Sequence, residues 1–193
     1  MANLTGYGSA RPGIGRVALN DERHSLVWPA IPELKLSSDG FDHRLMLRGS
    51  DLAARERLAC LGLDAPEMLR TAHSDRAMVM RLGPEEWFIG AVAGSDIQRI
   101  LVDEPGIGAF DVSHGFLGLS IEGAGVEQLL QSHCPLDLNH ARFKIGMATR
   151  TVFGKTEVLL SRMDSARFNL VISRSQVRSV LDLLAETVLR QTA

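Results

Sequence analysis

From His43 onward the chain is cut into short apolar runs by tight turns, and this punctuation limits its fold more than any other feature. His43 to Arg48 alternates polar and apolar residues, as a half-buried strand does. Ser50 or Asp51 can cap a helix running to about Cys60, with Gly62 as its stop. Ala77 to Leu82 reads as a strand, Gly83-Pro84-Glu85-Glu86 as a turn, and Trp87 to Val92 as the returning strand. Ser95 or Asp96 caps a short helix that ends before Pro105.

A second series follows. Ala109 to Ile121 contains a strand, best defined over Phe116 to Ile121. Gly123 to Ser132 is predicted helical, with Val126, Leu129 and Leu130 at helical spacing. Met147 to Phe153, Glu157 to Ser161 and Phe168 to Ile172 are predicted strands. A helix from about Arg174 to Arg190 closes the chain, with Val177, Val180, Leu181, Leu184 and Val188 on one face. Strand, helix, strand, strand, helix thus occurs twice, before and after residue 108. The expected class is α+β, with duplicated antiparallel units of ferredoxin-like type and helices packed on one side of each sheet.

The expected divisions are 1–40, 41–108 and 109–193. The first stretch holds Gly6, Gly8, Pro12, Gly13, Gly15, Pro29 and Pro32 and no helical period, so it reads as an extended N-terminal arm. Trp28 and its apolar neighbours in that arm need a surface to bury against.

Composition narrows the functional classes. Of 193 residues 45% are hydrophobic, and 21 basic against 23 acidic residues give a formal charge of −2. That balance excludes a largely disordered chain and argues against one that coats nucleic acid. Two cysteines are too few for a disulfide framework. No apolar run approaches the roughly 18–20 residues of a membrane span, and the start lacks an apolar signal segment, so a cytoplasmic location is expected. Lys35, Lys144 and Lys155 are the only lysines; the other 18 basic residues are arginines, which suit planar ion pairs at protein interfaces.

No constellation makes a convincing catalytic set. Gly13-Ile14-Gly15-Arg16-Val17-Ala18 loosely fits a dinucleotide fingerprint, but Arg11-Pro12 stands where a strand must precede it. Gly106-Ile107-Gly108 lacks the third glycine and reads as a bend between the halves. His133, Cys134, Asp137 and His140 are dense in reactive types, yet Cys134 before Pro135 reads better as a small buried residue than as a nucleophile or metal ligand. In Asp111-Val112-Ser113-His114 an extended backbone sends the acid and hydroxyl to one face and the imidazole to the other. Hydrogen bonding within the fold or at an interface suits them better. Arg142, Arg150 and Arg162 could bind a carboxylate, or stand as surface charges. Trp87 is read as a core or interface anchor.

Four segments in order carry a family resemblance. They are Leu82-Gly83-Pro84-Glu85-Glu86-Trp87, Asp111-Val112-Ser113-His114, Cys134-Pro135-Leu136-Asp137-Leu138 and Arg150-Thr151-Val152-Phe153-Gly154-Lys155-Thr156-Glu157-Val158-Leu159-Leu160. From about residue 40 onward the chain resembles the gamma subunit of heterotetrameric sarcosine oxidase. Gly115 departs from it, where the family usually has arginine.

The resemblance implies a reduced version of the folate-binding fold of glycine-cleavage aminomethyltransferases. It implies a structural subunit without catalytic, cofactor-binding or metal-binding residues. Its partners would be alpha, beta and delta subunits that hold FAD, FMN, NAD and tetrahydrofolate and oxidatively demethylate sarcosine to glycine. Related enzymes such as N-methylglutamate dehydrogenase have similar small subunits. A stand-alone folate-dependent one-carbon protein is the alternative that the same fold suggests. The residues expected to meet a partner are Trp28, Trp87, His114 and Arg142, since aromatic and arginine side chains dominate such contacts.

Overall fold

The computed structural model describes residues 14–18, 25–29, 34–101 and 106–191. In chain order the strands are β1 (Ile14–Ala18), β2 (Ser25–Pro29), β3 (Leu34–Ser38), β4 (His43–Gly49), β5 (Thr71–His73), β6 (Ala77–Gly83), β7 (Glu86–Ala91), β8 (Ile107–Asp111), β9 (Phe116–Gly123), β10 (Ala148–Phe153), β11 (Thr156–Arg162) and β12 (Arg167–Ser173). The helices are α1 (Asp51–Ala59), α2 (Val126–Gln131) and α3 (Val177–Gln191). β1 pairs with β2, and the rest form two five-stranded sheets. The first sheet has the order β5-β6-β7-β4-β8 and the second β10-β11-β12-β9-β3. Every pairing is antiparallel.

Two of the four predicted helices, α1 and α3, form where caps and apolar spacing place them. Ser50 caps α1, its side chain accepting from the Ala53 amide. The apolar face of α3 is buried as expected, through Val177, Val180, Leu181, Leu184 and Val188. α2 starts at Val126 rather than Gly123, because Gly123 still pairs in β9 and Gly125 caps the helix in a left-handed conformation, φ 81°. The helix expected after Ser95 shrinks to one 3-10 turn, Ile97–Arg99. Two further elements differ from expectation. Leu34–Ser38, within the stretch read as an arm, is an edge strand of the second sheet, and Ile107 and Gly108 open a strand instead of making a bend.

Those two strands cross the duplication. β3 precedes β4 of the first sheet but pairs with β9 of the second. β8 precedes β9 but pairs with β4. Each sheet therefore takes its fifth strand from the element that introduces the other.

The sheets stack face to face, with helices outside. One core lies between the second sheet and α2 and α3, including Phe153, Phe168, Leu170 and Leu184. Another lies beneath α1, with Leu45, Leu47, Leu58, Trp87 and Ile89. The third joins the sheets: Met78, Met80 and Phe88 of the first meet Ala148, Leu159 and Val171 of the second. Strands covered on both faces lose the polar–apolar alternation, which is why β7 and β12 are buried almost end to end.

A buried ion pair sits in this middle layer. Arg44 Nη2 lies 2.7 Å from Asp39 Oδ1, and its Nη1 donates to the Phe41 carbonyl at 3.0 Å. Both strands beneath are glycine for want of room. A Cβ on Gly118 would stand 1.6 Å from the Asp39 carboxylate, and one on Gly90 2.7 Å from the Phe41 ring. The segment joining β3 to β4 is thereby pressed into both sheets.

Candidate functional site

The Asp111–His114 segment leaves the end of β8 and turns into β9. The Ser113 hydroxyl donates to Asp111 Oδ1 at 2.5 Å, and the Ser113 amide donates to the same oxygen at 2.9 Å. The hydroxyl also accepts from the Arg44 amide at 2.9 Å. These bonds lock the turn and hold the Asp111 carboxyl below its usual range, chiefly through the Ser113 hydroxyl. His114 stands exposed at the tip, and its carbonyl accepts from Arg174 Nε at 3.1 Å. The hydroxyl thus serves the backbone and Asp111, which fits the expected structural use.

The second cluster is also dispersed into the fold. Cys134 is 7% exposed, with Sγ 3.7 Å from Thr151 Oγ1. His133 Nε2 lies 2.5 Å from Thr187 Oγ1, and the Thr187 hydroxyl donates to the Leu183 carbonyl at 2.8 Å. The imidazole therefore donates to Thr187 from Nε2. Its ring meets Phe153 edge-on at 5.4 Å. His140 is exposed and lines a shallow depression with Lys144, Ile145 and Arg162. Among the described residues no group of three or more His, Cys, Asp or Glu side chains is placed to hold a metal ion.

The arginines divide three ways. Arg162 is 2% exposed, and all five of its N–H groups are taken. They reach the carbonyls of Leu138, Phe143, Asp164 and Ser165 and the Glu127 carboxylate, at 2.9–3.2 Å. Its guanidinium also lies 5.0 Å from the centre of the Phe168 ring. Arg150 bridges the sheets instead: it contacts Glu86 at 2.5 Å, which also holds Arg48 at 3.1 Å. Arg142 is exposed in the loop before β10.

Of the expected contact residues, His114 and Arg142 are surface groups. Trp87 is not: it is 0% exposed beneath α1, with the Arg81 guanidinium 5.3 Å from its ring. The alternation of β7 turns Trp87 away from Phe88 and into the helix-side core, so its ring has no surface to offer a partner. The Trp28 side chain lies outside the described residues. The surface exposes other large apolar groups, above all Leu52 at 70%, Ile145 at 57% and Phe110 at 56%. Phe110 is hidden in the sequence by the flanking Gly108 and by the reading of Gly106–Gly108 as a bend. Its place in an alternating Ile107-Gly108-Ala109-Phe110-Asp111 run is the signal that reveals it.

No curated protein sequence matches the chain. Among solved structures it is similar to heterotetrameric sarcosine oxidase from Corynebacterium sp. U-96, in complex with pyrrole 2-carboxylate. That likeness has 23% identity and a TM-score of 0.74, over 83% of this chain and 86% of the other. It is also similar to glycine cleavage system aminomethyltransferase T from Bartonella henselae, at 12% identity and a TM-score of 0.58 over 84% of this chain. The chain spans about half of that protein, 47%. These likenesses show the fold. A family model described as sarcosine oxidase, gamma subunit, matches residues 50–187, well over half of the sequence, and the chain belongs to that family.

Proposed function

We propose that this chain is a non-catalytic structural subunit of a heterotetrameric sarcosine oxidase, assembled with alpha, beta and delta subunits. The family membership carries this reading. Two features of the molecule support it. Its reactive side chains are engaged in holding turns and cores together: Ser113 with Asp111, His133 with Thr187, Cys134 beside Thr151. Its glycine-rich segments give no phosphate cradle, since Ile14–Ala18 and Ile107–Asp111 are strands rather than helix starts.

FAD, FMN, NAD and tetrahydrofolate are assigned to the partner chains, a reading that the family membership supports. There sarcosine is oxidatively demethylated to glycine, with tetrahydrofolate taking the one-carbon unit. The choice among N-methyl amino acids lies in those chains as well. No helix among the described residues is long and apolar enough to cross a membrane, in keeping with a cytoplasmic assembly. Trp28, His114 and Arg142 are proposed contacts, of a kind that buries about 1,200 Å² or more.

Native mass spectrometry of the tagged chain purified from its source tests the reading. The expected result is co-purification with two large, yellow chains and a small fourth one. A colourless chain that stays alone at high concentration overturns it. Within the complex, Trp28→Ala should weaken retention of the large chains; unchanged retention removes Trp28 as an anchor.

A further inference from the structure

We propose that the two sheets open as a clamshell, turning about the connectors 39–42 and 112–115 and parting at a strained clasp, the turn at Leu69. The motion belongs to the chain itself and does not depend on the subunit reading above.

The path of the chain places the hinge. Among the described residues the chain passes from one sheet to the other at two places, from β3 to β4 and from β8 to β9. β3 and β8 are the last strands of the two sheet orders, and each is joined to the other sheet by a four-residue connector, so both crossings lie on one side of the stack. Backbone bonds hold them there: the Asp39 amide donates to the Gly118 carbonyl at 3.2 Å, and the Val112 amide donates to the Arg44 carbonyl at 2.8 Å. Each connector holds one glycine, Gly40 at φ 85° and Gly115, and a few such residues suffice to absorb the turn of a hinge.

On the opposite side the described chain makes no crossing. The sheet orders end there in β5 and β10, which meet through one isolated antiparallel bridge, Arg70 opposite Met147. The Ala148 amide donates to the Leu69 carbonyl at 2.9 Å, and the Thr71 amide donates to the Gly146 carbonyl at 2.8 Å. Most neighbouring strands within the sheets are held by ladders of five or more pairs instead. The Arg150–Glu86 pair also spans this side, but Arg150 is exposed and such a pair is weak.

Backbone strain marks the same joint. Leu69 is the one non-glycine among the described residues with a left-handed φ, at 57°. It stands third in the turn 67–70, which the Arg70 amide closes by donating to the Glu67 carbonyl at 3.1 Å. A left-handed third position normally takes glycine or asparagine. The Leu69 amide donates to the Arg81 carbonyl of β6 at 3.0 Å while its carbonyl accepts from Ala148 of the other sheet, so bonds to both sheets hold the leucine in this state. Parting the sheets frees that carbonyl and lets the backbone relax. Strain thus favours opening at Leu69, and the apolar layer of Met78, Met80 and Phe88 against Ala148, Leu159 and Val171 favours closure.

Hydrogen exchange read residue by residue on the full chain as purified tests the motion, together with peroxide labelling of Met78 and Met80, both buried between the sheets. The clasp amides of Thr71 and Ala148 should exchange about tenfold faster than the hinge-side amides of Asp39 and Val112. Leu69→Gly relieves the strain and should slow both clasp exchange and methionine labelling about fivefold, with Asp39 and Val112 unchanged. Leu69→Val, a poorer left-handed residue, should speed both. Equal exchange on the two sides overturns the hinge. A response of the clasp amides without the methionines means that the turn frays while the sheets stay together, and overturns the clamshell. No response to either Leu69 variant overturns the clasp as a strained joint.

Discussion

The two sheets follow the same strand order, yet their outer faces are covered differently. After β12 the chain makes the 15-residue α3, whose apolar stripe lies along the second sheet. After β7 the described residues make only the 3-10 turn Ile97–Arg99 before β8. The first sheet replaces helix length with side-chain bulk: Trp87, Leu45, Leu47 and Leu58 fill the layer, closed by Leu61, Leu63, Ile97 and Ile100. Strand order decides which face needs cover.

Deleting the residue that fills each face tests that contrast. Trp87→Ala should cost about 3–5 kcal/mol and Leu184→Ala about 2–5 kcal/mol, read by urea unfolding. Because the middle layer joins the sheets, both variants should shift one common transition. Two separate transitions, one per variant, would show that the halves are independent. Arg162→Ala should cost about 3–5 kcal/mol, since it strips four carbonyls and Glu127 of a buried donor. A loss below about 1 kcal/mol, the range of exposed pairs, would return Arg162 to the role of a surface charge.

The smallest effects oppose one another in sign. Burial pushes the Asp39 carboxyl above its ordinary 3.8, outweighing Arg44 and the Phe41 amide that lower it. The folded chain then holds the Asp39 proton more tightly, so the stability this group confers falls as pH rises through its folded value. Asp111 is held below 3.8, so its contribution is full above that value and is lost as pH falls through its lower folded value. Urea midpoints of wild type against Asp39→Asn and Asp111→Asn should therefore diverge from pH 3 to 6 with opposite slopes. Slopes of the same sign would refute the assignment for one of the two carboxyls.

Much of the fold was legible because periodicity and turn chemistry are local. The α3 stripe, the Gly83–Glu86 turn and the β10–β12 hairpins all stand where their residues predict. β5 was not legible, as its three residues carry no pattern, and α2 was overrun because Gly123 still belongs to β9 and Gly125 caps the helix. The exchange of β3 and β8 was hidden for a deeper reason: pairing partners far apart in sequence leave no periodic mark. The surface was less legible than the core. Trp87 and Phe110 are both aromatic residues on strands, and only the sheet stacking shows that one is buried and the other exposed.

The exchanged strands also govern when the protein can become itself during synthesis. Leu36 leaves the ribosome early, but its partner Ile121 follows only after the whole first half. While residues 43–91 emerge their sheet still lacks β8, and β3 waits for its partner β9 longer still. Pairings of such long sequence separation form slowly and leave bare strands open to wrong partners meanwhile. Making this chain alongside the chains it joins would shorten that exposure, and truncation before β9 should leave no soluble product.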